Sequence, residues 1–85
     1  MKRIITLTYE ISDTKSSKLA QAIDKVLTRL PKSAPITTIQ QTDNSALCGS
    51  QHVTFDLRYI PSTLWSYTKL QLRELDAKEI SKTHI

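Results

Sequence analysis

The stretch Lys15–Leu30, KSSKLAQAIDKVLTRL, sets the layout of this chain. Leu19, Ile23, Val26, Leu27 and Leu30 recur at the i, i+4, i+7, i+8, i+11 spacing of one helix face. Lys15, Lys18, Lys25 and Arg29 fall on a second stripe beside it, and Lys32 continues that stripe past the helix end. The apolar stripe requires a surface to pack on. The basic stripe offers a contact for something acidic.

Outward from the helix toward the N-terminus, Arg3–Ile11 alternates. Ile5, Leu7, Tyr9 and Ile11 share one face; Ile4, Thr6, Thr8 and Glu10 share the other. This pattern, dense in β-branched residues, predicts a half-buried strand. Ser12, Asp13 and Thr14 supply a turn and a helix cap, with the Asp13 carboxylate suited to the positive helix end. Pro31 stops the helix, because proline lacks an amide hydrogen and clashes with the preceding turn.

Toward the C-terminus, Ile36–Gln41 predicts a second strand with poor alternation, since Ile36 and Ile39 cannot share a face; a bulge or an edge position follows. Thr42–Gln51 is loop, rich in Asp, Asn and Ser and carrying the one glycine, Gly49. His52–Ile60 alternates well, with Val53, Phe55, Leu57 and Tyr59 opposite His52, Thr54, Asp56 and Arg58. Pro61 and Ser62 open a second helix from Thr63 to about Ile80. Leu64, Trp65, Thr68, Leu72 and Leu75 make its core side; Leu70 and Ala77 lie opposite, with Ser66 and Arg73. Ser81–Ile85 reads as a frayed tail.

The expected architecture is a single α+β domain over residues 1–80, in the order β-α-β-β-α. A three-stranded mixed sheet carries both helices on one face and leaves the other wet. The third strand lies between the first two, antiparallel to both, as in a split β-α-β unit. Thr6, Thr8, Thr37 and Thr54, with Glu10 and Arg58, populate the wet face. The order resembles, in topology alone, the damage-inducible inhibitors of bacterial recombinase. Their acidic final helix has no counterpart here, where Lys69, Arg73 and Lys78 fall.

Composition narrows the function classes. The chain has 85 residues, 39% of them hydrophobic, with 12 Lys plus Arg against 8 Asp plus Glu for a net charge of +4. That excess suits an acidic protein, nucleic acid or an anionic surface without selecting among them. Cys48 is the one cysteine, so no internal disulfide forms, which fits a reducing, cytoplasmic setting. The opening MKRIITLTYEIS starts like a signal peptide, but Thr6, Thr8 and Glu10 interrupt it. No apolar run approaches the length of a membrane span, so no membrane partner is expected.

The residues give no catalytic set. Cys48 and His52 are four apart, but no oxyanion donors or third member accompany them. The soft and imidazole ligands are Cys48, His52 and His84, too few and too scattered for a metal site. One glycine cannot make a phosphate loop. The sequence predicts no cofactor, no metal and no small-molecule substrate, and a protein that is not an enzyme. Threonines stand where a single-strand RNA platform needs aromatics. Two partner classes remain. The favoured one is a protein, or a second copy of the chain, held at an open strand edge or on the Leu70, Arg73, Ala77 side of the second helix. The other is nucleic acid on Lys15, Lys18, Lys25, Arg29 and Lys32. Solvent-facing lysines are also the ordinary means of keeping an amphipathic helix soluble.

Overall fold

The computed structural model describes residues 4–43 and 49–84. Strand β1 (Ile4–Ser12) leads through a 3-10 turn at Asp13–Lys15 into helix α1 (Ser16–Arg29). A second 3-10 turn, Ile36–Thr38, precedes β2 (Ile39–Asp43), and β3 (Ser50–Asp56) follows. Helix α2 (Ser62–Glu74) and β4 (Lys78–His84) complete the order. The sheet runs β2-β3-β1-β4, and every neighbouring pair is antiparallel. This is the β-α-β-β-α-β connectivity of a ferredoxin-like plait.

The class matches the sequence expectation, and β3 does lie between β1 and β2. The strand count and the mixed sheet do not match. A fourth strand occupies Lys78–His84, where the sequence suggests the end of a helix and a tail. It pairs with β1 from Ile4 opposite His84 to Glu10 opposite Lys78, with two register shifts. Residues 81–84 therefore belong to the domain; Ile85 lies outside the described residues. The extra strand also takes the chain out of the order it was likened to.

The cause is how α2 ends. Asp76 adopts φ 53°, the left-handed region. Its amide donates to the Arg73 carbonyl at 3.1 Å, and the Ala77 amide donates to the Leu72 carbonyl at 3.0 Å. This is a Schellman motif, usually built on glycine and here built on aspartate. It turns the chain back toward the sheet at a point where the sequence has neither Gly nor Pro.

Two other boundaries move for local reasons. Pro35 opens the 3-10 turn: the Thr38 amide and hydroxyl both donate to its carbonyl, at 3.0 and 2.6 Å. Ile36 is thereby left 94% exposed while Ile39 enters the core, which resolves their conflict of phase. Thr37 sits in that turn, off the wet face. Strand β3 stops at Asp56, whose carboxylate accepts from the Arg58 amide at 3.1 Å and from the Arg58 guanidinium at 3.0 and 2.8 Å. The resulting turn leaves Leu57 half-buried and Tyr59 exposed, and Ile60 enters the core in Tyr59's place. Arg58 goes with the turn.

Both helices cover one face. Leu19, Ala22, Ile23 and Val26 of α1 and Leu64 and Leu72 of α2 pack with Ile11, Ile39, Val53 and Phe55 of the sheet. Phe55 is 1% exposed. Its ring meets Trp65 at 5.4 Å and Tyr9 at 6.0 Å, both edge-on, the arrangement ring quadrupoles favour. Buried Thr68 satisfies its hydroxyl on the Leu64 carbonyl at 2.8 Å. Leu27, expected in the apolar stripe, is 47% exposed. No described helix is long and apolar enough to cross a membrane.

Candidate functional site

The basic stripe of α1 meets α2 along one side. The Lys15 ammonium sits 2.7 Å from the Asp76 carboxylate. That hydrogen bond, with the cation's charge, holds the Asp76 carboxyl below the usual range. Lys18 and Lys25 line a groove whose opposite wall carries Gln71, Glu74 and Leu75. The Arg29 guanidinium donates to the Lys25 carbonyl at 2.8 Å and lies 4.8 Å from the centroid of Tyr67. Lys32 is exposed in the connector. Within α1 no acid interrupts the stripe, yet the fold brings acids and an aromatic ring to it from α2 and its C-terminal turn. Four of the five cations thus face groups that moderate their charge or hold their geometry.

The Leu70, Arg73 and Ala77 side of α2 is different. These three residues line one cleft of about 550 Å³, together with Tyr9 of β1 and with Ser66, Lys69 and Leu72 of α2. Helix period alone puts Leu70 and Arg73 on one side of α2. Ala77 joins them by another route: it lies beyond the helix and is brought back by the Schellman turn. Leu70 is 57% exposed, so its apolar area faces the opening.

The cleft sits beside an edge of the sheet. Strand β4 has β1 on one side and no described strand on the other. All seven of its residues are exposed. Register places Glu79 opposite Tyr9 and Lys82 opposite Leu7, on the face that carries the helices. The Tyr9 hydroxyl titrates above its ordinary value, first because it is buried and second because the Glu79 carboxylate is near. A shift between the partners of Thr8 and Tyr9 leaves Ile80 opposite no residue of β1, and Ile80 is exposed. The cleft therefore has an apolar floor and cations at Lys69 and Arg73, and the neighbouring strand β4 carries Glu79 and Lys82 on the same face of the sheet.

Sequence reasoning missed β4, and with it the placing of Glu79 and Lys82 opposite Tyr9 and Leu7 on the helix-bearing face. A signal was present. KEISKTH carries two lysines and one aliphatic residue, the composition with which natural proteins protect an edge strand.

Past Ile4, the open face of the sheet is polar along its two central strands. Thr6, Thr8 and Glu10 stand opposite Asp56, Thr54 and His52. Thr8 and Thr54 share a hydrogen bond at 2.9 Å, Thr6 and Thr83 one at 2.6 Å, and His52 Nε2 lies 3.4 Å from the Glu10 carboxylate. The Arg58 hydrogen bonds hold Asp56 below the usual carboxylate range. With no aromatic ring in these rows and two carboxylates among them, this face has nothing on which a base could stack. Cys48 lies outside the described residues. Among those described, no three His, Cys, Asp or Glu side chains cluster as a metal site.

Comparison with family models, with curated proteins and with solved structures finds no match to this chain.

Proposed function

We propose that this protein is a small, non-catalytic binding or regulatory module that works inside the cell through protein–protein contact. The observation that carries the reading is the cleft at Leu70, Arg73 and Ala77, an apolar concavity left open beside the free edge of β4. Apolar surface collected in a concavity marks interaction sites more often than scattered surface leucines do. A free edge supplies backbone donors and acceptors to an incoming chain. The intracellular setting rests on the lone cysteine, which has no disulfide partner in the sequence.

Nucleic acid is the competing partner. Its case rests on Lys15, Lys18, Lys25, Arg29 and Lys32. The Lys15–Asp76 pair, Glu74 beside Lys18 and Lys25, and the stacking of Arg29 on Tyr67 weaken it.

Capture from native lysate, with and without nuclease, separates the two. The baits are the wild type, Leu70→Glu, and a triple variant in which Lys18, Lys25 and Arg29 become Glu. Partners that survive nuclease, are lost with Leu70→Glu and persist with the triple variant support the protein reading. Capture that disappears with nuclease and with the triple variant, and that falls steeply with salt, overturns it. All four positions are exposed, and a single exposed substitution usually moves stability by under about 0.5 kcal/mol; Arg29→Glu also gives up the contact with Tyr67, so circular dichroism checks that each bait is folded.

A further inference from the structure

We infer that the occupant of this surface is an extended acidic segment of another protein, added as a strand along β4 with one apolar side chain seated in the cleft. The inference rests on the protein-binding reading above and narrows it to a partner chemistry.

Charge at the edge separates a foreign segment from a second copy. A second copy brings to β4 an edge of the same net charge, Lys78 and Lys82 against Glu79. The shift at Ile80 sets these two lysines on opposite faces, Lys78 opposite Glu10 on the open face and Lys82 opposite Leu7 on the helix-bearing face. Directly opposed like charges destabilise a strand pair, and opposed unlike charges stabilise it. A strand carrying Asp or Glu meets a cation on either face of this edge, where a second copy meets its own excess of lysine.

The rim points the same way. On the helix-bearing side, Lys69 and Arg73 border the cleft and Lys82 lies on the neighbouring strand, against one carboxylate at Glu79. None of these three cations has an ion pair among the described residues. This differs from α1, where Lys15 is paired within the molecule. The apolar floor of Tyr9, Leu70, Leu72 and Ala77 supplies room for one aliphatic or aromatic anchor. Backbone pairing, an anchor in a pocket and flanking charge are the three parts of strand-addition recognition.

The test uses the full chain and blocked peptides of about six residues, the usual strand length. One peptide places a central leucine between glutamates, a second replaces the glutamates with lysines, and a third is the glutamate peptide with alternate amides N-methylated. Binding is followed through the backbone amide resonances. The glutamate peptide is expected to shift Leu70, Ala77 and Lys78–His84. The lysine peptide should bind at least about tenfold more weakly, a difference within reach of rim charges. The N-methylated peptide should not bind, since it cannot pair with the edge. Arg73→Glu should reduce or reverse the preference.

Equal affinity for the glutamate and lysine peptides overturns the inference, as does undiminished binding of the N-methylated one. So do shifts confined to β2 or α1. A dimer seen by sedimentation and abolished by Leu70→Glu also overturns it, because the chain's own copy then fills the cleft. In each of these cases a nuclease-resistant capture lost with Leu70→Glu leaves the protein-binding reading standing, so the two fail separately.

Discussion

The two β-α-β halves of the molecule finish their helices in different ways, and the difference decides which half keeps apolar area uncovered. In the first half, α1 ends before Pro31, and Arg29 near that end is drawn back over Tyr67. In the second, α2 ends on Asp76 in the left-handed region, and the turn delivers Ala77 to a cleft that Leu70 leaves open. The first half is closed by side-chain contact across the helix pair. The second is turned by backbone geometry and leaves apolar area uncovered. A helix end thus does more than stop a helix: it sets where the following strand docks and what stays bare beside it.

The halves share Phe55, and the largest effect falls there. It sits in β3, against Tyr9 of β1 and Trp65 of α2. Phe55→Ala should cost about 3–5 kcal/mol, a large part of what holds a domain of this size. Urea unfolding reads the loss directly. A loss under about 1 kcal/mol would mean that the halves do not lean on this ring.

A matched pair of leucines on α2 probes the bare side at intermediate scale. Leu72 is 4% exposed and Leu70 57%. Leu72→Ala should cost about 2–5 kcal/mol, while Leu70→Ala should cost little, roughly 0.5 kcal/mol or less. Equal losses would show that Leu70 is covered in solution, and the contrast between the halves would then disappear.

The smallest effect concerns Asp76, where the two halves touch through Lys15. Asp76→Gly should raise the melting temperature, because glycine enters the left-handed region without a Cβ clash. The same variant should change the acid limb. The folded-state pKa of Asp76 is lowered, chiefly by the Lys15 hydrogen bond. Its contribution is present above the unfolded value of about 3.9 and is lost as pH falls through the lower folded value. Below about pH 4, wild-type stability should therefore fall more steeply than that of Asp76→Gly. Asp76→Asn keeps a residue tolerant of the left-handed region and removes only the charge, so it should flatten the acid limb without raising the melting temperature. A steeper acid limb in either variant would contradict the pairing.

Legibility in the sequence follows the same division. The α1 stripe, the alternation of β1 and the central place of β3 rest on periodic burial, and each was readable as period. Leu70 and Arg73 were readable as a side of α2, because helix period fixes them; Ala77 was grouped with them on a helix that in fact ends before it. What could not be read was made by single local hydrogen bonds. Asp56 capping Arg58 cut β3 short, Pro35 curled Ile36 out of its strand, and Asp76 ended α2 some six residues earlier than its amphipathic pattern suggests. Strand β4 buries no side chain, so no hydrophobic period announces it; β1 pairing alone defines it. The company that α1's cations keep is a tertiary fact, since Asp76 is far from Lys15 in sequence, and no reading confined to one helix reaches it.

The placement of β1 also carries a consequence for how the chain is made. Its neighbour β3 joins it across some forty intervening residues, and Thr6 meets Thr83 across a separation of 77. Contacts of such long span slow folding, because chain entropy is lost before they form. During synthesis β1 emerges before every segment it pairs with, and its second partner, β4, emerges after all the other elements. Until Lys78–His84 has docked, the β4-facing edge of a strand reading IITLTYEIS stands open, with the composition from which sheets nucleate between chains. The nascent chain thus keeps one edge of β1 uncovered even after β3 and α2 are complete, until β4 docks. A ribosome paused in that interval would hold out an unfinished sheet at its most adhesive seam.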